Sequence, residues 1–493
     1  PQWPRRLHQP TLHHRPSIRT ARDLGVGSLA DLVPFAQWAA SAGFRTVQIL
    51  PMNEVCPGLA SPYSAASGFA IDPVYLAIEE LANPDGVLDE TDRELVARLR
   101  GEPAVRWGEV RGLKRRAARR VFGAWKERGD RAELERFADE RPWVREHATF
   151  MALHARHRTS WLSWPTPLRD REPRALEDAR RELADEIAFE AWLQWQLDRQ
   201  WRAMREGLRA AGVSLMGDLP FVVAHDSSDV WSRREEFWLD ASLGVPPTTP
   251  EEAPQDWGLP VYDWERMRGN DYRYLRDRAA RQAELYDAYR VDHVIGFYRS
   301  FWKRGDETGF APVDEASQRR QGETVLGIFG AHAQIVAEDL GLVPPFIRRS
   351  LDALGIPGYR VLRWEKDEGV YRDPASWPTR SVATTGTHDT DAAATWFEGA
   401  SPAERVALAR VPGLELVAGK DRYDLEVKDA VLRALYGAPS ELVLLPLPDA
   451  LGRAGQINVP GTVSPDNWSW RMETPVEELA VDEGQRAYLA ELA

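Results

Sequence analysis

The stretch at residues 288–297, AYRVDHVIGF, decides the fold. It is continuously apolar except for Arg290, Asp292 and His293, and a Gly follows the charged group. A run without polar alternation marks a strand buried on both faces, as in a parallel sheet. Seven further runs share this pattern: 46–51 (TVQILP), 68–72 (GFAID), 214–223 (SLMGDLPFVV), 334–341 (QIVAEDLG), 358–365 (GYRVLRWE), 381–389 (SVATTGTHD) and 441–449 (ELVLLPLPD). Helical patterns lie between most of them. Residues 29–42 precede the first, 344–354 follow the fifth, and 402–410 follow the seventh, with Ser401 as N-cap and Pro402 at the first helical position. Eight strands alternating with helices predict an α/β fold, a (β/α)8 TIM barrel.

The spacing is uneven. About 140 residues separate the second and third runs, far beyond an ordinary βα loop. That stretch is rich in Arg, Glu, Ala and Trp and reads as helices at 105–126, 132–156 and 174–211. The expectation is one catalytic barrel domain over 1–493, with a helical subdomain inserted at 80–212 between strands 2 and 3. A second insertion, 224–281, opens on the cap-like Asp226-Ser227-Ser228-Asp229 and contains a Pro-rich loop at 244–260. A connection that long between barrel strands is expected to lie over the active site at the C-terminal face.

Composition removes several functions. The chain has 76 acidic and 63 basic side chains, a net charge of −13, so nucleic acid and anionic membrane are not the expected partners. No apolar run reaches the roughly 18 residues of a membrane span. One cysteine, Cys56, excludes an intrachain disulfide framework and a zinc ribbon. With no apolar signal-like core in the first 20 residues, the expected compartment is the cytoplasm. The 20 tryptophans read first as core, and second as faces for stacking on sugar rings. Gly25-Val26-Gly27-Ser28-Leu29-Ala30 matches a dinucleotide fingerprint, but an irregular Arg/His-rich tail precedes it, so it reads as a turn into a helix. His154 and His157 read as surface residues, and no metal-binding or P-loop motif is present.

The strand ends carry the chemistry. Asp218 lies on the third run, Arg290, Asp292 and His293 on the fourth, Glu338 and Asp339 on the fifth, and His388 and Asp389 on the seventh. In a barrel, such ends converge on one mouth. Each carboxylate alone also suits a helix cap or an ion pair; four strands supplying them together point to a site. Paired carboxylates without a metal or nucleotide motif suit glycosyl chemistry, where one attacks the anomeric carbon and the other protonates the leaving oxygen. Arg290 shares a strand face with Asp292 and would hold it ionised.

RVDHVIGF, AEDLG and GTHD resemble three signature regions of the α-amylase clan. GVGSLADL (25–32), SPYSAASGFAIDPVYL (61–76), SWLSWPTPLRDRE (160–172), GDLPFVVAHDSSDVW (217–231), QDWGLPVYDW (255–264) and INVPGTVSPDNWSWRM (457–472) are similar to 4-α-glucanotransferases of the amylomaltase type, glycoside hydrolase family 77. The resemblance runs from about residue 17 to 475. It implies Asp292 as nucleophile, Glu338 as general acid/base and Asp389 as transition-state stabiliser. It also implies Tyr63, Asp218, Gln255, Trp257, Arg290, His293, His388 and Asn458 as substrate-cleft residues, with Tyr63 stacking under the donor glucose. No cofactor or metal is implied; the partners would be α-1,4-glucan donor and acceptor. Thr248 stands where the family commonly has Asp, and Ser64 where it has Gln. A retaining amylase of the same clan and a non-catalytic glucan-binding protein stay open as alternatives.

Overall fold

A computed structural model describes residues 9–14, 18–128, 131–247 and 253–493. Eight parallel strands close into a barrel: β1 (Gln9–His14), β2 (Thr46–Ile49), β3 (Ser214–Leu219), β4 (Ala288–Val291), β5 (Gln334–Ala337), β6 (Gly358–Val361), β7 (Ser381–Thr384) and β8 (Leu442–Pro446). Neighbours in the barrel are neighbours in sequence, and β1 closes the ring between β8 and β2. Side chains alternate inward and outward along β2 to β8. The inward layer packs Met216, Ala288, Val336, Tyr359, Val382, Leu442 and Leu444 into the barrel interior. The outward set, including Val47, Leu215, Tyr289, Ile335 and Val443, joins the main core. Both faces are therefore apolar, which is why the strands read as unbroken runs.

Two strand assignments change. The N-terminal segment, expected to be an irregular tail, contains β1. The run at 68–72 is not a barrel strand. It folds back antiparallel on the residues after β2: Glu54 donates its N–H to the Ala70 carbonyl at 3.0 Å and Asp72 its own to Met52 at 2.9 Å. Asp72 then accepts from Val74 N–H at 3.0 Å and from both ends of the Arg111 guanidinium at 2.7 and 2.6 Å. Its burial comes from a packed loop, so apolar character alone misleads there. The barrel count stays at eight because β1 takes the place of this run.

Between β2 and β3 the described residues form a succession of helices from Pro84 to Ala210. The expected helices at 132–156 and 174–211 are each two. Pro142, which has no N–H to continue a helix, separates Arg131–Glu140 from Pro142–His157. Leu183 separates Pro173–Glu182 from the 27-residue Ala184–Ala210. Four arginines of Trp107–Arg128 are committed locally: Arg115 pairs with Glu190, Arg116 and Arg120 with Asp92, and Arg119 with Glu186. This basic run is a ladder of ion pairs between neighbouring helices, with the guanidinium groups partly exposed. Trp161, Trp192, Trp201 and Trp231 are fully buried, so much of the tryptophan content is core. His154, expected at the surface, is partly buried with its Nε2 3.0 Å from Asp226. Gly25, at φ 95°, turns the chain ahead of a capping box between Ser28 and Asp31.

The stretch at 244–260 is also not one loop. Phe237–Val245 and Gln255–Tyr262 pair antiparallel, and Ser300–Arg304 and Glu307–Ala311 complete a four-stranded sheet. The Ser242 hydroxyl donates to Asp256 at 2.5 Å across the first pair. Of the connection between these strands, Thr248 and the residues to 252 lie outside the described residues. Among the described residues, no helix is long and apolar enough to cross a membrane. Nor do any three His, Cys, Asp or Glu residues among them gather to hold a metal ion.

Candidate active site

Parallel pairing places the central residues side by side. Asp218 on β3 is opposite Arg290 on β4, and both point into the barrel just below its C-terminal mouth. The next pair along β4 and β5 is Val291 opposite Ala337. Asp292 and Glu338 follow them, one residue past the ends of adjacent strands. The main-chain ladder continues through this point: Asp292 N–H donates to the Leu219 carbonyl at 3.1 Å and Glu338 N–H to Val291 at 3.0 Å. Both catalytic candidates thus stand on sheet backbone rather than on a free loop, which limits how far they can drift.

Arg290 is the hub. Its Nη1 lies 2.9 Å from both Asp218 oxygens and 2.8 Å from Asp292, and its Nη2 lies 4.0 Å from Glu338. The guanidinium also lies over the Tyr359 ring, 5.9 Å from its centroid. The Tyr63 hydroxyl donates to Asp218 at 2.8 Å. Asp218 and Arg290 are buried, while Asp292 and Glu338 keep partial access to solvent at the mouth. Burial pushes Glu338 up to about 7, against the pull of Arg290 and with the help of the Asp292 charge. Burial pushes Asp218 upward too, again opposed by Arg290. One carboxyl of the facing set is thus held ready to carry a proton near neutral pH.

His293 extends this set. It sits at φ 44°, a sparsely populated region for a residue with a side chain. In that conformation its N–H points at Glu338 Oε2, 2.9 Å away, while Leu340 N–H holds Oε1 at 3.2 Å. Burial pushes the imidazole down to about 4, so it is neutral at ordinary pH. The edge of the Trp257 indole meets the His293 ring at 4.8 Å between centroids. Trp257 in turn donates to the Gln255 side chain at 3.3 Å. The inserted antiparallel sheet therefore reaches the acid/base candidate through Gln255, Trp257 and His293.

The third carboxylate comes from the loop after β7. Asp389 accepts from the Asn458 amide at 2.6 Å, and His388 Nε2 lies 3.4 Å from its other oxygen. Burial pushes Asp389 above the usual carboxylate range, with Asn458 and Arg290 opposing. His388 stacks on Tyr63 at 5.1 Å and 24°, and Trp468 packs against both rings at 5.6 and 5.7 Å. Tyr63 is thus tied by its hydroxyl to Asp218 and by its ring to His388. All eleven candidates join one connected cluster. Trp468 was missed as a site residue. Its signal is Asn467-Trp468-Ser469-Trp470, nine or more residues past Asn458, and nothing in that spacing says which tryptophan turns inward.

Comparison with known proteins gives a consistent picture. A family model described as 4-alpha-glucanotransferase matches residues 13–477. The 4-alpha-glucanotransferase of Thermus thermophilus is 33% identical over 489 residues, covering 94% of each chain. That of Chlamydia pneumoniae is 30% identical over 498 residues, covering 97% of this chain and 93% of the relative. Among solved structures, amylomaltase from Streptococcus agalactiae in complex with acarbose superposes with a TM-score of 0.85 at 24% identity, covering 98% of both chains. Amylomaltase from Corynebacterium glutamicum gives 0.80 at 22% identity, covering 98% of this chain and 75% of that one.

Proposed function

Because the chain belongs to the 4-alpha-glucanotransferase family, we propose how its own residues divide the transfer. The observation that carries the reading is the Asp292–Arg290–Glu338 arrangement at the ends of adjacent strands. Asp292 attacks the anomeric carbon of an α-1,4-linked glucan while Glu338 protonates the departing 4-oxygen. The bond from C1 to that oxygen breaks, a bond from C1 to the Asp292 carboxylate forms, and the shortened glucan leaves. Glu338, now a carboxylate, takes the proton from the 4-hydroxyl of an acceptor glucan, which displaces Asp292. Two inversions give net retention. Asp389 and His388 hold the hydroxyls of the reacting ring and stabilise its oxocarbenium character. Tyr63, Asp218, Gln255, Trp257, His293 and Asn458 line or support the cleft. The donor and acceptor are α-1,4-glucans or malto-oligosaccharides, and the single buried Cys56 suits a cytoplasmic setting.

Water and acceptor compete for the same intermediate, so product analysis tests the reading. Incubation with pure maltotriose is expected to yield glucose and longer oligomers, with total reducing ends nearly constant. A steady rise in reducing ends without longer products would convert the assignment to an α-amylase-type hydrolase. Tight maltoheptaose binding with no product over long incubation would convert it to a glucan-binding protein.

Acidity supplies a second check. Glu338 must be protonated for the first step, and its pKa is raised to about 7. The protonated fraction is complete well below that value and is lost as pH rises through it. The basic limb of kcat/KM is therefore expected to fall near pH 7 and to track Glu338. A profile flat to about pH 9 would remove Glu338 from the acid role.

A further inference from the structure

The loop that carries His388 and Asp389 is anchored by two buried charged residues outside the catalytic set. Residues 385–392 leave the barrel after β7 and return into the helix Ala393–Gly399. Asp449, three residues past β8, reaches both ends of this loop. Its Oδ2 accepts the Thr385 hydroxyl at 2.5 Å, and its Oδ1 accepts the Ala393 N–H at 2.7 Å. Arg363, two residues past β6, holds the carbonyls: its Nε donates to Thr385 at 3.2 Å and its Nη2 to Asp391 at 2.9 Å. Its third nitrogen pairs with the Asp391 carboxylate. Asp449 is 1% exposed and Arg363 6%.

The other bonds of the loop divide into two kinds. Thr384 with Gly386, Thr387 with Thr390, and Asp389 N–H with the Thr387 hydroxyl shape the loop but tie it only to itself or its own strand. Asn458 and Gly455 hold its outer side, through Asn458 N–H to the His388 carbonyl and Ala392 N–H to Gly455. That second segment is itself a loop. Attachment to the neighbouring barrel strands falls to Asp449 and Arg363. A buried charge is costly unless fully engaged, and the hydrogen bonds of these two side chains go to this loop and to Ala393 at its exit, with Arg363 also lying over the Trp396 ring of the following helix.

We propose that Asp449 and Arg363 are positioning residues for the transfer reaction, clamping the Asp389 loop from the ends of β8 and β6. The proposal rests on the reading of Asp389 as a stabiliser of the charged transition state. Loss of either clamp frees backbone that is now fixed, and a misplacement of about 1 Å at a reacting group costs on the order of 10²-fold in rate. The test uses the full chain with maltotriose and with α-maltotriosyl fluoride, whose fluoride leaves without help from Glu338. Asp449→Ala is expected to lower kcat by about 10²-fold on both substrates, with donor KM changed much less. Asp449→Asn, which keeps one acceptor, should recover part of that loss. Arg363→Lys should resemble Asp449→Ala, since one ammonium cannot span three acceptors. Asp287→Asn is the control. Asp287 likewise accepts a backbone N–H, from Leu215 at 2.9 Å, and pairs with Arg205, but at the opposite end of β3 and β4. It should lower the melting temperature without changing kcat measured on folded protein. If Asp449→Ala does not fold, Thr385→Val removes one tether at constant volume and should still depress kcat about tenfold. A clamp variant that is folded and turns over within about twofold of the parent would overturn the proposal. Asp389→Asn run in parallel separates the two claims. Full activity there removes the reading of Asp389 itself, whereas an inactive Asp389→Asn beside a normal Asp449→Ala removes only the clamp.

Discussion

Asp292→Asn is expected to abolish transfer, lowering kcat by at least ~10³-fold, because no covalent glycosyl-enzyme can form on an amide. The protein should not lose stability with it. Asp292 is only partly buried, and Arg290 keeps both of its 2.9 Å contacts to Asp218. Removing one negative charge beside Asp218 and Glu338 relieves repulsion, and active sites commonly trade stability for such crowding. The variant should therefore unfold at the same or higher denaturant concentration. The decisive measurement is a single-turnover assay with a maltosyl fluoride beside a urea melt. Near-normal turnover would make Asp292 structural and remove the nucleophile assignment; lost activity with a collapsed melt would leave the chemistry unproved and point to an architectural role.

Arg290→Leu is expected to have the opposite balance, losing stability as well as activity. Asp218 is buried with Arg290 as its ionic partner, and Tyr63 supplies one further hydrogen bond. Removing one member of a buried ion pair costs ~3–5 kcal/mol, mostly from the charge left behind. The double variant Asp218→Leu, Arg290→Leu should recover much of that stability while staying inactive, since apolar replacement of both members is often neutral. Urea melts of the two single variants and the double close the cycle. A melt of Arg290→Leu within about 1 kcal/mol of the parent would show that the hub carries no such load.

Much of the barrel was legible because seven of its strands are apolar on both faces. β2 to β8 announce themselves as short β-branched runs, and the carboxylates at their ends are visible without any contact information. The exceptions have one cause. Gln9–His14 contains a Pro, two His and a single Leu, so nothing local marks a strand. Its structure comes from hydrogen bonds to β8 and β2, more than 30 residues away on one side and more than 400 on the other. Residues 68–72 have the local pattern without those partners and fold as a packed loop. The same limit holds at the site. Asp292 and Glu338 stand next to their strands and Asp389 five residues past its own, whereas Asp449 meets Thr385 across 64 residues and Tyr63 meets Asp218 across 155. Side chains that act through such contacts leave no spacing in the sequence to read.

The single guanidinium of Arg290 faces Asp218, Asp292 and Glu338, with Asp389 across the mouth. Even with a proton retained on Glu338, negative charge in this cleft exceeds positive. A glucan chain is uncharged, so this surplus contributes little to holding the donor at rest. The ring gains positive character only as its C1–O bond stretches, and only then does the surplus become attractive. The electrostatic balance set by one arginine among four carboxyl groups thus discriminates between moments of the reaction rather than between ligands, and its effect belongs in kcat more than in KM.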